Sequence, residues 1–276
     1  MFDVRLITDD TAAYKGYISR DIYKDFLSTA NRYMLAAYDE GRTVGVCVFD
    51  ASTVTRIVDI GITADCRDRN VLRRDFLLSM LSICQNLHAQ VLTISLYDED
   101  GFEEWEQVLD EFRFGLDETT MFYRFKISDL RDLPISAKPD KSGRIIMLEQ
   151  ANDKQIEEID KLLKEGEMFA DLTHERIRRD LSSALIKNGK IDGVLLVSDI
   201  PGGICVEYAY VDSKESFMLV SMIRRTIDAI AHDASIPSDA VGELACIGGS
   251  SNKLFLKLVP ECELLGEQRT YYTAII

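Results

Sequence analysis

The sequence predicts an α/β (α+β) protein built as two similar domains, each a mixed, mostly antiparallel sheet flanked by helices. Three observations carry that expectation. Thr55 to Ile62 is rich in β-branched residues, as a buried strand requires, and from Leu72 the apolar residues switch to helical spacing at Leu72, Phe76, Met80, Ile83, Cys84 and Leu87. Val91 to Tyr97 then returns to a strand pattern, so 54–97 forms a crossover unit. The same order recurs later, where Leu219, Ile223, Ile227 and Ile230 stand at a constant offset from Leu72, Phe76, Met80 and Ile83. The strands before these helices match too, Val58 to Ile62 beside Val206 to Tyr210, which points to duplication of a whole domain. Between the copies, Ser128 to Gly143 holds two prolines, several charges and no period. The expected division is 1–128, a linker at 129–143, and 144–276.

In chain order, Val4 to Thr8 reads as a short strand and Asp9 to Ala30 as one or two helices. Arg32 to Tyr38 and Thr43 to Phe49 form a hairpin turning at Gly41. After the first crossover, Gly101 to Phe112 is an amphipathic helix carrying the only tryptophan, Trp105, which suits a core position. Phe112 to Gly115 and Thr119 to Ile127 read as a closing pair of strands. Arg144 to Leu148 is a strand, and Asp153 to Lys164 and Thr173 to Leu181 are helices, the latter capped by Thr173. Ala184 to Val197 is a hairpin turning at Asn188-Gly189, the strongest short-range hairpin signal. Ile204 to Val211, a helix over Ser216 to Ala231, Val241 to Ile247, a helix over Ser250 to Leu258 and a strand from Thr270 complete the order.

Composition narrows the function. With 46% hydrophobic residues the chain can bury packed cores, and no apolar run nears the roughly 20 residues a bilayer span needs. The start, Met1 to Leu6, carries an acid and reads as strand rather than signal peptide. A net charge of −15 argues against nucleic acid or anionic membrane as partners and is compatible with a cationic substrate such as an amine. The six cysteines are scattered with no Cys-x-x-Cys pair, as expected of reduced residues in a cytoplasmic protein. None of the three histidines lies near a cysteine or another histidine at ligand spacing, so no metal site is expected, and His88 and His232 suit helix C-termini. A homo-oligomer is compatible with all of this.

The stretch best suited to chemistry is the turn 64–70. It leaves Arg67, Arg69, Arg73 and Arg74 near the first turn of a long helix. Free N–H groups and guanidinium groups there would suit a phosphorylated ligand, and a solvated basic turn would look the same in sequence.

Strand, helices, hairpin, strand, basic loop, long helix, strand, helix and closing strands is an order that resembles the GNAT family of N-acetyltransferases. Both halves show it, so the chain is similar to a tandem GNAT protein. In that family an Arg-x-x-Gly-x-Gly/Ala turn holds the acetyl-CoA pyrophosphate on consecutive N–H groups. Here Ile62-Thr-Ala-Asp-Cys-Arg67 fits the lead-in and Arg67 to Leu72 occupies the motif, degenerately. Asn70 stands at the first glycine, a mild replacement because asparagine tolerates left-handed backbone. Leu72 stands at the second and would add bulk in the cofactor's path. The second half, Val211 to Ser216, has neither arginine nor glycine.

The resemblance implies acetyl transfer from acetyl-CoA to a small amine. It places the cofactor on Arg67, Arg69, Asn70, Val71 and Leu72, or on backbone groups from Val211 onward, with Asn252 at the asparagine common at the start of the following helix. An N-terminal capping cluster is the simpler explanation of Asn252. The family's general base falls at Val58 in the first half, with Asp59 expected on the opposite face, and at Glu207 in the second. Glu207 is thus the expected catalytic residue, or a strand glutamate on a solvated face. The family's general-acid tyrosine is missing from both halves, which have Leu109 and Leu258-Val259 there. A catalytically silent GNAT-like module that binds a small ligand or mediates assembly is the alternative.

Overall fold

The computed structural model describes residues 1–131, 144–165, 172, 175–212, 216–237 and 239–275. Its contacts divide the chain into one compact unit of Met1–Thr120 with Gly266–Ile276, and a second of Met121–Leu265.

In the first unit the sheet order is β1 (Asp3–Ile7), β2 (Arg32–Asp39), β3 (Arg42–Asp50), β4 (Val54–Ile62), β5 (Val91–Tyr97), and then the end of the chain, β12 (Glu263–Ala274). Neighbours are antiparallel except β4 and β5, which the crossover helix α2 (Arg69–Asn86) makes parallel. Met34, Leu35, Ala36 and Ala37 are all buried because both faces of the sheet are covered. Leu35, Cys47, Phe49 and Ile57 pack with Leu72, Phe76, Leu77 and Met80 of α2. Met34, Ala36, Val46 and Val48 pack on the other side with Ile18 and with Ile22, Tyr23 and Phe26 of α1 (Arg20–Ser28). The hairpin turns at Glu40-Gly41 with both φ positive, the two-residue turn that matches strand twist. Helix α3 (Phe102–Glu111) buries Trp105 in the α2-side core, as expected.

The second unit repeats the plan. Its order is β6 (Gly115–Lys126), β11 (Val241–Ile247), β10 (Gly203–Val211), β9 (Lys190–Ile200), β8 (Ser183–Lys187) and β7 (Ile145–Met147). Its parallel pair is β10 with β11, joined by α6 (Ser216–His232). Leu195, Val197 and Ile204 pack with Met222, Ile227 and Ile230 of α6, while Ala184, Val194 and Leu196 pack with Ile159 and Leu163 of α5 (Asp153–Glu165). The Asn188-Gly189 turn forms with φ of 53° and 77°. Helix α7 (Gly248–Leu258) follows β11, and His232 at the end of α6 bonds the Asp228 carbonyl, as its helix-end position predicts.

Four expectations are revised. The last strand does not complete the second half: Gln268 to Ala274 of β12 pair with Tyr97 to Val91 of β5 and belong to the first unit. Phe112 to Ile127 is not a strand pair: Phe112 ends α3, and a single strand, β6, runs Gly115–Lys126. The start of the supposed linker is helical, since α4 (Ile127–Arg131) buries Leu130 in the second core; 132–143 lie outside the described residues. Thr173 and His174 also lie outside them, and Glu175 to Leu181 are turns with an Ile177–Ser198 bridge rather than a helix.

Candidate active site

In each unit the parallel strands hold together over four residues and then part. Val54–Ile57 pair with Val91–Ile94, and Gly203–Val206 with Val241–Leu244. Where they part, one strand bulges. The ladder to β3 skips Val58, and the ladder to β9 skips Glu207, so these two residues are equivalent, as the family base position implied. A bulge puts two successive residues on one face. Ile57 and Ile60 both face the α2 core, while Val58 packs on the α1 side. Asp59 also points there: its carboxylate accepts the backbone N–H of Ser19, the N-cap of α1, and of Ile60. The expectation that Asp59 faces away from Val58 therefore fails, because strict alternation does not survive the extra residue.

Asp59 opens on a cavity of about 290 Å³ in the gap between β4 and β5, with Ser95, Tyr97, Glu99, Asp100 and Trp105 around it. Burial pushes its carboxyl above the usual aspartate value, against the two backbone N–H groups, and the charge of Asp100 adds to the rise.

The basic turn is less open than its sequence suggests. Asp68 caps α2 by accepting the Val71 N–H at 3.0 Å, and the Leu72 N–H goes to the Asp68 carbonyl at 3.1 Å. Arg73 is 4% exposed, bonds Asn70 Oδ1 at 2.9 Å and Glu104 Oε2 at 2.8 Å, and lies 4.8 Å from the centre of the Trp105 ring. Arg74 pairs with Glu111 on the same helix, α3. These two arginines clasp α2 to α3; only Arg67 and Arg69 of the four are exposed. Leu72 does not intrude on a ligand path either. Its side chain is wholly buried, and its Cδ2 would stand 3.0 Å from a methyl on Gly45.

In the second unit the gap between β10 and β11 is a pocket of about 230 Å³, covered by α6 and α7. Its walls are apolar: Val206, Leu219, Ile223, Leu244, Leu254 and Phe255 among them. Among the described residues, Glu207 supplies the one charged side chain in the wall. It is exposed and accepts a hydrogen bond from the hydroxyl of Ser198, a buried residue of β9. Val211 ends β10 opposite Gly193, and Ser213 to Glu215 lie outside the described residues. Asn252 is not a cap: its Oδ1 accepts the Tyr123 hydroxyl at 2.6 Å, tying α7 to β6.

No family model matches the sequence, and no curated protein matches it. Solved structures do. A tandem GNAT protein from the clavulanic acid biosynthesis pathway aligns over 100% of this chain and 99% of its own, at TM-score 0.58 and 11% identity. A GCN5-related N-acetyltransferase from Sphaerobacter thermophilus aligns over 99% and 96%, at TM-score 0.62 and 10% identity. Another from Kribbella flavida covers 98% of this chain and 71% of its own, at TM-score 0.51 and 13% identity. The chain has the tandem GNAT fold.

Within that GNAT fold, the two halves have diverged at the same place. The first pairs a closed α2–α3 clasp with a polar, acidic cavity in the gap between β4 and β5. The second pairs an apolar pocket under α6 and α7 with a single carboxylate at the bulge. Strict alternation put Asp59 on the wrong face because the bulge that turns it toward the cavity leaves no mark in residue type. Among the described residues, no group of three His, Cys, Asp or Glu is placed to hold a metal ion, and no helix is long and apolar enough to cross a membrane.

Proposed function

We propose that this GNAT-fold chain is an acyl-CoA-dependent N-acyltransferase that moves an acetyl group to a small amine, with transfer seated in the second unit. The observation that carries this reading is the pocket between β10 and β11. It is apolar along its length, as an extended thioester arm requires, and has Glu207 in its wall. Acetyl-CoA would supply the activated carbonyl. The backbone around Val211 would face its phosphate end. The amine nucleophile arrives as an ammonium ion and must lose a proton before it attacks, so a carboxylate within direct or water-mediated reach is the group needed. Glu207 serves as that base, oriented by the Ser198 hydroxyl. The first unit is less suited to a donor, because Arg73 and Arg74 bind α3 where the arm would pass between the helices.

Thermal shift with acetyl-CoA and desulfo-CoA tests the cofactor directly; no change in Tm at millimolar concentration would leave the silent-module reading in its place. Glu207→Gln keeps size and hydrogen bonding and removes the base. Release of free CoA thiol with a responsive amine should slow by about 10²- to 10⁴-fold in that variant. A wild-type rate from about pH 6 to 9 would exclude Glu207 as the base. Replacing Arg67 and Arg69 together by Ala should leave affinity for acetyl-CoA unchanged; a clear loss would move the donor to the first unit.

A further inference from the structure

The outer edge of β1 takes no part in the reading above. Among the described residues β1 pairs with β2 alone, so one row of its backbone N–H and C=O groups faces outward at the end of the first unit's sheet. Such edges are ordinarily blunted by lysine, proline, a bulge or a very short strand. β1 has none of these: its five residues, Asp3-Val-Arg-Leu-Ile7, stay in unbroken register with β2. We propose that β1 is a dimerisation strand that pairs antiparallel with β1 of a second copy, about a two-fold axis at Val4. The sequence suits that register. Phe2 faces Leu6 of the second copy, Asp3 faces its Arg5 and Val4 faces its Val4, so apolar meets apolar and acid meets base.

The two faces of the strand agree with this pairing. Phe2 and Val4 pack on the α2 side, and Ile7 packs on the α1 side. Arg5 shares the face of Ile7; it bonds Asp3 and lies 5.3 Å from the centre of the Tyr38 ring. Pairing therefore gathers the Asp3 and Arg5 charges of both copies on one face in a ring of alternating sign, and the apolar residues on the other. Asp75 of α2 is 7% exposed and accepts the Phe2 N–H at 2.5 Å, which holds the start of β1 in place before a partner arrives. Leu6 and Leu78 are 48% and 50% exposed at a cleft of about 570 Å³ between β1 and α2, and a partner strand covers that apolar lip. A net charge of −15 makes two copies repel, so a contact between them must be locally neutral, as Asp3 and Arg5 make this edge. The inference concerns assembly and stands whether or not the second unit transfers acetyl groups.

The test is sedimentation equilibrium of the full chain at roughly 10 to 100 μM, a range that populates a contact of micromolar Kd. Wild type is expected to approach twice the chain mass of 31.2 kDa. Arg5→Asp alone sets acid against acid, and Asp3→Arg alone sets base against base; each should raise the Kd at least about tenfold. Both positions are exposed, so the fold is kept. Mixing these two single variants should restore association, and so should Asp3→Arg with Arg5→Asp in one chain. Leu6→Lys should act like the single variants, while Leu116→Lys, at an exposed apolar residue of β6 in the same unit, should change nothing. A single-chain mass for wild type, an unchanged Kd in the single variants, no recovery on mixing, or equal loss in Leu116→Lys would overturn the proposal.

Discussion

Replacing Arg73 by Ala gives a sharp test of the clasp between α2 and α3. The guanidinium is 4% exposed and sits 4.8 Å from the Trp105 ring centre, a desolvated cation–π geometry of the order of 1–2 kcal/mol. Its bond to Asn70 Oδ1 at 2.9 Å adds roughly 1 kcal/mol, and the buried stem leaves a gap when removed. Against these stands the buried Arg73 Nε, which has no partner, so that removing it recovers about 1 kcal/mol. Glu104 is mostly solvated, so its side of the ion pair adds little. The net expectation for Arg73→Ala is a loss of about 2 kcal/mol, which lowers the urea midpoint by about 1 M at a typical slope. Trp105 is the only tryptophan, so its fluorescence reads the unfolding of this unit alone. Arg73→Met, which fills the stem volume without burying a charge, should remain within about 1 kcal/mol of wild type. Equal midpoints for wild type and Arg73→Ala would refute the clasp; equal damage from Met and Ala would refute the assignment of part of the loss to packing.

Two further outcomes follow from backbone contacts and from burial. Gly61→Ala would set a Cβ 1.7 Å from the Tyr17 carbonyl oxygen, so β4 must move, and the loss should reach about 3 kcal/mol; Gly16→Ala, with nothing within 4 Å, should stay within about 0.5 kcal/mol. Denaturant unfolding of the two variants checks the contrast, and similar midpoints would count against the close approach of Tyr17 to β4. The folded Asp59 carboxyl titrates above its unfolded value, so the folded state holds that proton more tightly. The stability of wild type relative to Asp59→Asn should therefore be greatest below the ordinary aspartate value, about pH 4, and fall as pH rises through the raised folded value. Unfolding free energies of both proteins between about pH 3 and 7 measure this, and a difference that grows with pH would contradict the burial of Asp59.

Apolar spacing and turn chemistry determined most of the architecture by themselves. The stripe from Leu72 to Ile83 and its copy from Leu219 to Ile230 mark helices in any context, because a 3.6-residue period buries one face of a helix and no face of a strand. Glu40-Gly41 and Asn188-Gly189 close hairpins because they accept positive φ at low cost. Valine at 58 beside glutamate at 207 was equally legible, since both hold the same place in a repeated strand. Other features were decided by tertiary structure. Strand partners are chosen by edges that lie far apart in sequence, so β12 could complete the sheet of the first unit through β5 without any local signature. Arg73 and Arg74 read as free cations until Glu104 and Glu111 arrive from another helix. Asp59 faces the cavity only because one residue is inserted beside it, and a bulge is a property of the pairing between β3 and β4, not of either strand alone.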